Sequence, residues 1–291
     1  MKKRSALIAV CACMLAALAC VVLVGCGGGQ STTESADAAK STEATETTET
    51  ATTASGDYSL VQSGKLISVS DMECPPFSSY KDGTSEPEGF EVDLMAAVAE
   101  KMGLESVWLP KMDFDAIIPL IKQGGKADVG VANFTITDER KQEIDFTDPY
   151  YVANIGFVTK ADTTATSAED FNKDGVRIGA QSGTTGEAWA KENLTDAEVV
   201  AMIPSTAMLS VQSSSEGNDS LDAMVCDLPV ATSLIEKSYS DLTVLESIAT
   251  GDEFGIVVSK DNPELTKALN DALAELKADG TIDELMNKWL A

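Results

Sequence analysis

From Tyr58 to Ala291 short β-branched, apolar runs alternate with longer segments whose apolar residues recur at helical spacing. This alternation constrains the fold more than any other feature, because repeated strand, helix, strand order demands a sheet of parallel type with helices on its faces. The first series reads residues 65–70 as a strand and 90–102 as a helix, with Val92, Met95, Val98, Ala99 and Met102 on one stripe and Gly103 at a left-handed cap. Strand 106–109, helix 114–122 and strand 128–132 follow. A second series predicts strands at 155–160, 176–180, 199–203 and 222–226, with helices at 185–193 and 229–238. The clearest helix comes last, with Asn262 as N-cap, Pro263 at N1, a core stripe of Leu265, Leu269, Leu273 and Leu276, and Gly280 after its final turn. Thr281 and Glu284 then read as a capping box for a short helix ending near Trp289. The span is long enough for two α/β lobes with cores of their own.

The residues ahead of Tyr58 have another character. Lys2, Lys3 and Arg4 precede an apolar stretch over 6–23, as an export signal requires, and that length also suits a short uncleaved membrane helix. Leu23-Val24-Gly25-Cys26 resembles the lipobox of bacterial lipoproteins. The resemblance implies a signal peptide over 1–25, lipidation of Cys26, and a chain anchored on the outer side of the cell membrane. Residues 27–57 contain no apolar side chain larger than alanine, so nothing there repays the entropy of ordering. Residues 26–57 therefore read as a disordered tether rich in Ser, Thr, Glu and Ala.

Charge removes several functions. With 47 acidic and 21 basic residues the net charge is −26, which repels nucleic acid while leaving room for a small anion at one local cation. Histidine is absent, so no Ser-His-Asp or Cys-His nucleophile and no His-ligated metal site can form. The acidic residues lack EF-hand spacing, and no metal or cofactor is implied.

Several ordered stretches carry a resemblance: Pro75-Pro-Phe77, Gly89-Phe-Glu-Val-Asp-Leu94, Ala127-Asp-Val-Gly-Val131, Thr135-Ile-Thr-Asp-Glu-Arg-Lys141, Ile144-Asp-Phe-Thr-Asp-Pro-Tyr-Tyr151, Gly183-Thr-Thr-Gly-Glu187 and Asp222-Ala-Met-Val-Cys-Asp227. Over residues 62–291 the chain resembles the polar amino-acid receptors of bacterial ABC importers, a group of extracellular solute-binding proteins. The resemblance implies an α/β, two-lobed periplasmic-binding-protein-like fold with a ligand cleft between lobes joined by two crossing strands. Lobe 1 would comprise 58–153 and 252–291, lobe 2 residues 154–251, and the crossings would fall near 151–154 and 250–254.

Arg140 is one of few cations, and its planar fork suits a carboxylate. The resemblance assigns it the ligand α-carboxylate, with Thr135, Asn133, Thr184 and Thr185 adding contacts. Taken alone, Arg140 could equally be a surface ion pair, and Gly183-Thr-Thr-Gly-Glu187 an ordinary helix cap. Asp227 ends an apolar strand and would meet the ligand ammonium, or cap the helix at Leu228-Pro229, or both. By the same resemblance Asp71, Cys74 and Phe114 match positions that contact the ligand side chain, and Asp71 would favour a polar or basic one. Cys74 and Cys226 are the two thiols beyond residue 26; they either bridge the lobes or stand as separate small buried side chains.

The resemblance implies a non-enzymatic receptor that captures a free L-amino acid and delivers it to an ABC permease. Two alternatives use the same fold: a dehydratase acting on a small carboxylic acid, with Glu73 or Asp71 as its acid-base group, and a sensory or protein-interaction module.

Overall fold

The computed structural model describes residues 58–215 and 220–291. The expected signal peptide, the lipidated Cys26 and the tether lie outside the described residues. In chain order the first elements are β1 (Lys65–Val69), the hairpin β2 (Ser79–Tyr80) and β3 (Pro87–Glu88), α1 (Phe90–Lys101), β4 (Glu105–Trp108), α2 (Phe114–Gln123), β5 (Val129–Gly130), α3 (Asp138–Glu143) and β6 (Asp145–Phe146). The chain then crosses through β7 (Tyr151–Lys160) into β8 (Arg177–Ala180), α4 (Thr185–Asn193), β9 (Glu198–Ala201), α5 (Pro204–Gln212), β10 (Ala223–Asp227) and α6 (Leu228–Ser238). It returns through β11 (Leu242–Phe254) to β12 (Val257–Val258), α7 (Pro263–Ala278) and α8 (Thr281–Trp289).

Two five-stranded sheets result, ordered β4-β1-β5-β12-β6 in lobe 1 and β11-β7-β10-β8-β9 in lobe 2. β1 lies parallel to β4 and β5, β8 lies parallel to β9 and β10, and β12 brings the returning chain into the lobe 1 sheet antiparallel to its neighbours. The crossing strands β7 and β11 pair with each other, antiparallel, along almost their whole length. Their lobe 1 ends are fixed by bonds from Tyr150 N–H to Phe254 O at 3.0 Å and from Ile136 N–H to Glu253 O at 2.8 Å.

Alternation within the strands explains the layering. Leu66 of β1 packs toward α1 and α7, while Ile67 and Val69 face Phe114, Ile117 and Ile121 of α2. In β10, Ala223 and Val225 face one way and Met224 the other. The leucine stripe of α7 is buried, as its spacing requires.

Two sequence motifs form one unit at the start of α1. The turn around Pro75-Pro-Phe77 offers two carbonyls, and the helix's opening N–H groups donate to them: Phe90 N–H to Pro76 O at 2.9 Å and Glu91 N–H to Phe77 O at 2.8 Å. So close an approach requires glycine at position 89, which has φ 131° and whose added Cβ would stand 2.2 Å from Phe77 O. α1 ends in a Schellman motif, with Leu104 N–H on Ala99 O, Gly103 N–H on Glu100 O, and Gly103 at φ 69°.

Some local expectations are corrected. Thr281 is not an N-cap: Gly280, at φ 88°, holds that place, and the Thr281 hydroxyl and N–H both donate to Asp279 Oδ1. Asn262 occupies the N-cap of α7 without a capping bond. Its side chain clasps Ser59 instead, Nδ2 donating to Ser59 O at 2.8 Å and Oδ1 accepting from Ser59 N–H at 3.4 Å. Nearby, Asp128 accepts from Val61 N–H at 2.7 Å and from Ile67 N–H at 2.8 Å, so the segment that enters the fold is bound to lobe 1. α3, α5 and the full length of β11 were not expected.

Candidate functional site

The predicted site residues follow the carboxyl ends of parallel strands: Asp71 and Cys74 after β1, Phe114 after β4, Asn133 and Thr135 after β5, Thr184 and Thr185 after β8, and Asp227 at the end of β10. Ligand sites of open α/β sheets occur at that edge. The two edges face each other across a narrow cavity. Among the described residues its charged wall residues are Arg140, from lobe 1, and Asp227, from lobe 2.

Arg140 is placed by a short helix and an aromatic shelf. Thr137 caps α3 by accepting from Arg140 N–H at 3.2 Å, and the guanidinium carbon lies 5.5 Å from the Phe114 ring centroid and 5.6 Å from that of Phe134. The two rings stack at 4.5 Å. Nη1 donates to Thr135 O at 2.7 Å and Nη2 donates across the cleft to Gly183 O at 2.9 Å. Each terminal nitrogen keeps a second N–H, and among the described residues neither these nor Nε–H has an acceptor. Among the described residues no carboxylate lies within ion-pair distance of this half-buried cation, and partial burial depresses its pKa. The surface ion-pair alternative is therefore not what this structure contains.

The hydroxyls expected beside Arg140 divide into two roles. Thr184 caps α4, accepting from Glu187 N–H at 3.1 Å and donating to Gln181 O at 2.7 Å, so its side chain serves the helix even though it lines the cavity. Thr135 Oγ1 and Thr185 Oγ1 meet across the cleft at 3.4 Å, and Thr185 donates to Asp252 Oδ2 at 2.9 Å. Asp252 belongs to crossing strand β11, and sequence reasoning missed it.

At the opposite end Asp227 holds the N-cap position of α6 but makes no capping bond. Its Oδ2 accepts from Asn133 Nδ2 of lobe 1 at 3.2 Å. Burial raises its pKa to about 7, against the lowering effects of the Asn133 bond and, more weakly, of Arg140. Asn133 has φ 50°, its N–H donates to Glu91 Oε1 at 2.8 Å, and its Oδ1 is buried without a partner among the described residues. Glu91 was visible in the sequence only as one letter of a longer motif.

Asp71 does not line the cavity. It sits behind two residues that do, accepting from Gln181 Nε2 at 2.7 Å and facing Cys74 Sγ at 3.9 Å, and burial raises its pKa to about 6. Gln181, from lobe 2, was missed. One of its N–H groups is used on Asp71, which leaves its carbonyl oxygen as an acceptor. Cys74 and Cys226 both line the cavity as free thiols whose pKa values burial pushes up, so the bridge is absent. Glu73 is not a wall residue: it pairs with Lys111 and accepts from Ser205 Oγ of lobe 2 at 3.1 Å.

Comparisons with known proteins agree with this architecture. Residues 66–291 match the family described as bacterial extracellular solute-binding proteins, family 3. The lysine/arginine/ornithine-binding periplasmic protein of Escherichia coli (strain K12) is 32% identical over 221 residues, covering 74% of this chain and 83% of that protein. Among solved structures, an ancestral arginine-binding protein bound to arginine superposes with a TM-score of 0.71 at 35% identity, covering 78% of this chain and 99% of that one. An ancestral amino acid-binding protein described as a precursor of cyclohexadienyl dehydratase gives a TM-score of 0.71 at 34% identity, covering 78% and 96%.

Proposed function

Because the chain belongs to the bacterial extracellular solute-binding proteins, family 3, we propose that it captures a free L-amino acid with a polar or basic side chain and delivers it to the permease of an ABC importer. One observation carries the reading: among the described residues the cavity is walled by one guanidinium on lobe 1 and one carboxylate on lobe 2, with no other charge. A zwitterion satisfies both. Its carboxylate takes the unused N–H groups of Arg140, and its ammonium takes Asp227 and the unpartnered Asn133 Oδ1. Thr135 and Thr185 assist at the carboxylate end when they turn from Asp252. The ligand side chain points toward Cys74, Phe114 and Gln181, with Asp71 behind them as a buried acceptor that favours a polar or cationic end. The names of relatives that bind lysine, arginine or ornithine support the same ligand class.

Each half of the site sits on a different lobe, so ligand stabilises the closed form by its differential affinity for it. Chemistry is not part of the proposal. Glu73, one of the two acid-base groups the dehydratase alternative would need, is outside the cavity wall and bonded to Lys111 and Ser205. The other, Asp71, is covered by Gln181. We propose further that Cys26 carries the lipid anchor, that residues 26–57 form the tether, and that the lobes divide as 58–153 with 252–291 and 154–251.

The test is thermal unfolding of the purified protein against the common L-amino acids and a cyclohexadienyl acid. A ligand at a hundredfold excess over Kd adds about 2.7 kcal/mol, a shift of several degrees for a protein this size. A shift by one or a few polar or basic amino acids, lost in Arg140→Ala, supports the receptor. Turnover of the cyclohexadienyl acid, or no shift with any amino acid, refutes it.

A further inference from the structure

Glu91 is an acid with no exposure and, among the described residues, no basic group beside it. The ionisable groups that face it are Tyr150 at the root of β7, Asp71 and Cys74 from the loop after β1, and Asp227 from lobe 2. All are acids, so burying a carboxyl there is costly, and a residue that only filled space would be better apolar. Its hydrogen bonds indicate what the cost secures. Oε1 accepts both the Asn133 N–H at 2.8 Å and the Tyr150 hydroxyl, the Ser78 side chain also favours the ionised form, and Oε2 has no partner within hydrogen-bond distance among the described residues.

Both donors matter to the cavity. Asn133, at φ 50°, is in the left-handed region, where an L-residue needs a specific reason to stay. From that backbone its Nδ2 reaches Asp227 across the cleft and its Oδ1 is left unpartnered. Tyr150 directly precedes β7, and its N–H donates to Phe254 O at the end of β11. A single carboxylate oxygen therefore joins the loop that carries Asn133 to the roots of both crossing strands.

We propose that Glu91 is a positioning residue for the amino end of the ligand site: it holds Asn133 in its left-handed conformation and thereby sets the Asn133 amide against Asp227 and toward a ligand ammonium. The assignment rests on the reading of the cavity as an amino-acid site. Nothing in its chemistry requires Glu91 to touch the ligand. What it supplies is an acceptor at Oε1, which glutamine reproduces and leucine does not.

The experiment uses isothermal titration with L-arginine, L-lysine and L-glutamine on the wild type, Glu91→Gln, Glu91→Leu, Asn133→Ala and the Glu91→Leu/Asn133→Ala double variant, each first checked for a cooperative melt. Glu91→Gln should bind within about threefold of wild type, Glu91→Leu at least about tenfold more weakly, and the double variant no more weakly than the worse single one. Additive losses, or full affinity in Glu91→Leu, overturn the proposal. A second measurement needs no ligand and no apolar variant. The Asn133 backbone amide proton is followed by NMR from pH 5.5 to 8.5 in Asp227→Asn, where the carboxyl bonded to the Asn133 side chain no longer titrates; it should shift with the ionisation of Glu91 there and stay still in Glu91→Gln/Asp227→Asn. An amide that does not respond in Asp227→Asn, or responds equally in Glu91→Gln/Asp227→Asn, overturns the proposal. If no amino acid binds the wild type while this amide titrates as expected, the reading of the cavity fails and the bond to Asn133 stands.

Discussion

Asp71, Glu91 and Asp227 are buried carboxyls whose pKa values burial raises to about 6, 7 and 7, from ordinary values of 3.8 for aspartate and 4.5 for glutamate. In the window between those ordinary values and about 7 the native state binds more protons than the unfolded chain, so these groups make stability fall as pH rises. The ligand-free protein should melt several degrees higher at pH 5.5 than at pH 8, and Asp227→Asn should flatten part of that slope. Exposed Asp279, held at about 2 by its hydrogen bond from Lys101, acts in the opposite sense but only under much more acidic conditions. Ligand affinity should run against stability: an ammonium needs ionised Asp227, so Kd should weaken by up to about tenfold per unit as pH falls below about 7. Arg140→Ala removes two or more charge-assisted bonds and should cost about a hundredfold or more in Kd. Arg140, Asn133, Thr135 and Asp227 were legible because they lie in contiguous motifs that end strands. Glu91, Gln181 and Asp252 were not, because each acts on a residue far along the chain, and locally they look like a first-turn helix acid, a loop amide and a strand acid facing solvent.

At the level of elements, the sequence revealed those whose cores lie on one stripe. α1, α2 and α7 announced themselves by buried residues at helical spacing, and the Schellman glycine was in its place. α3 has no buried residue, so periodicity had nothing to detect, although Thr137 fixes it and it carries Arg140. β11 is mostly half-exposed and has two register breaks against β7, which blurs the alternation that marks a strand. Thr281 and Glu284 have capping-box spacing, yet a glycine one residue earlier takes the cap. The junction of the Pro75-Pro-Phe77 turn with α1 is predicted to be unforgiving. Gly89→Ala places a Cβ against Phe77 O and forces a left-handed backbone, and it should destabilise the protein by about 2–4 kcal/mol in chemical denaturation. It should also weaken ligand binding, because Glu91 lies two residues on.

Across the whole molecule the lobes are joined by more than their strands. Arg140 to Gly183 O, Gln181 to Asp71, Asn133 to Asp227 and Ser205 to Glu73 are hydrogen bonds between lobes, and Lys237 pairs with Asp82 at 3.0 Å on the rim. In this closed arrangement the groups that would hold a ligand hold one another. Ser205→Ala combined with Lys237→Ala leaves the cavity untouched and should shift the ligand-free protein toward the open form. Small-angle scattering would register this as a larger radius of gyration that returns to the wild-type value on saturation with ligand. The exposed Lys237 pair alone should contribute only about 0–1 kcal/mol, so the single variant should change little.

The clasp of Asn262 on Ser59 and of Asp128 on Val61 has a mechanical consequence. Any pull transmitted through the residues that precede Tyr58 enters lobe 1, on the side away from the carboxyl-end edge of its sheet, and bypasses the crossing strands. If residues 26–57 are the proposed tether, lobe 1 would be the fixed half and lobe 2 the half that moves, because the hydrogen bonds of the entering segment go to lobe 1.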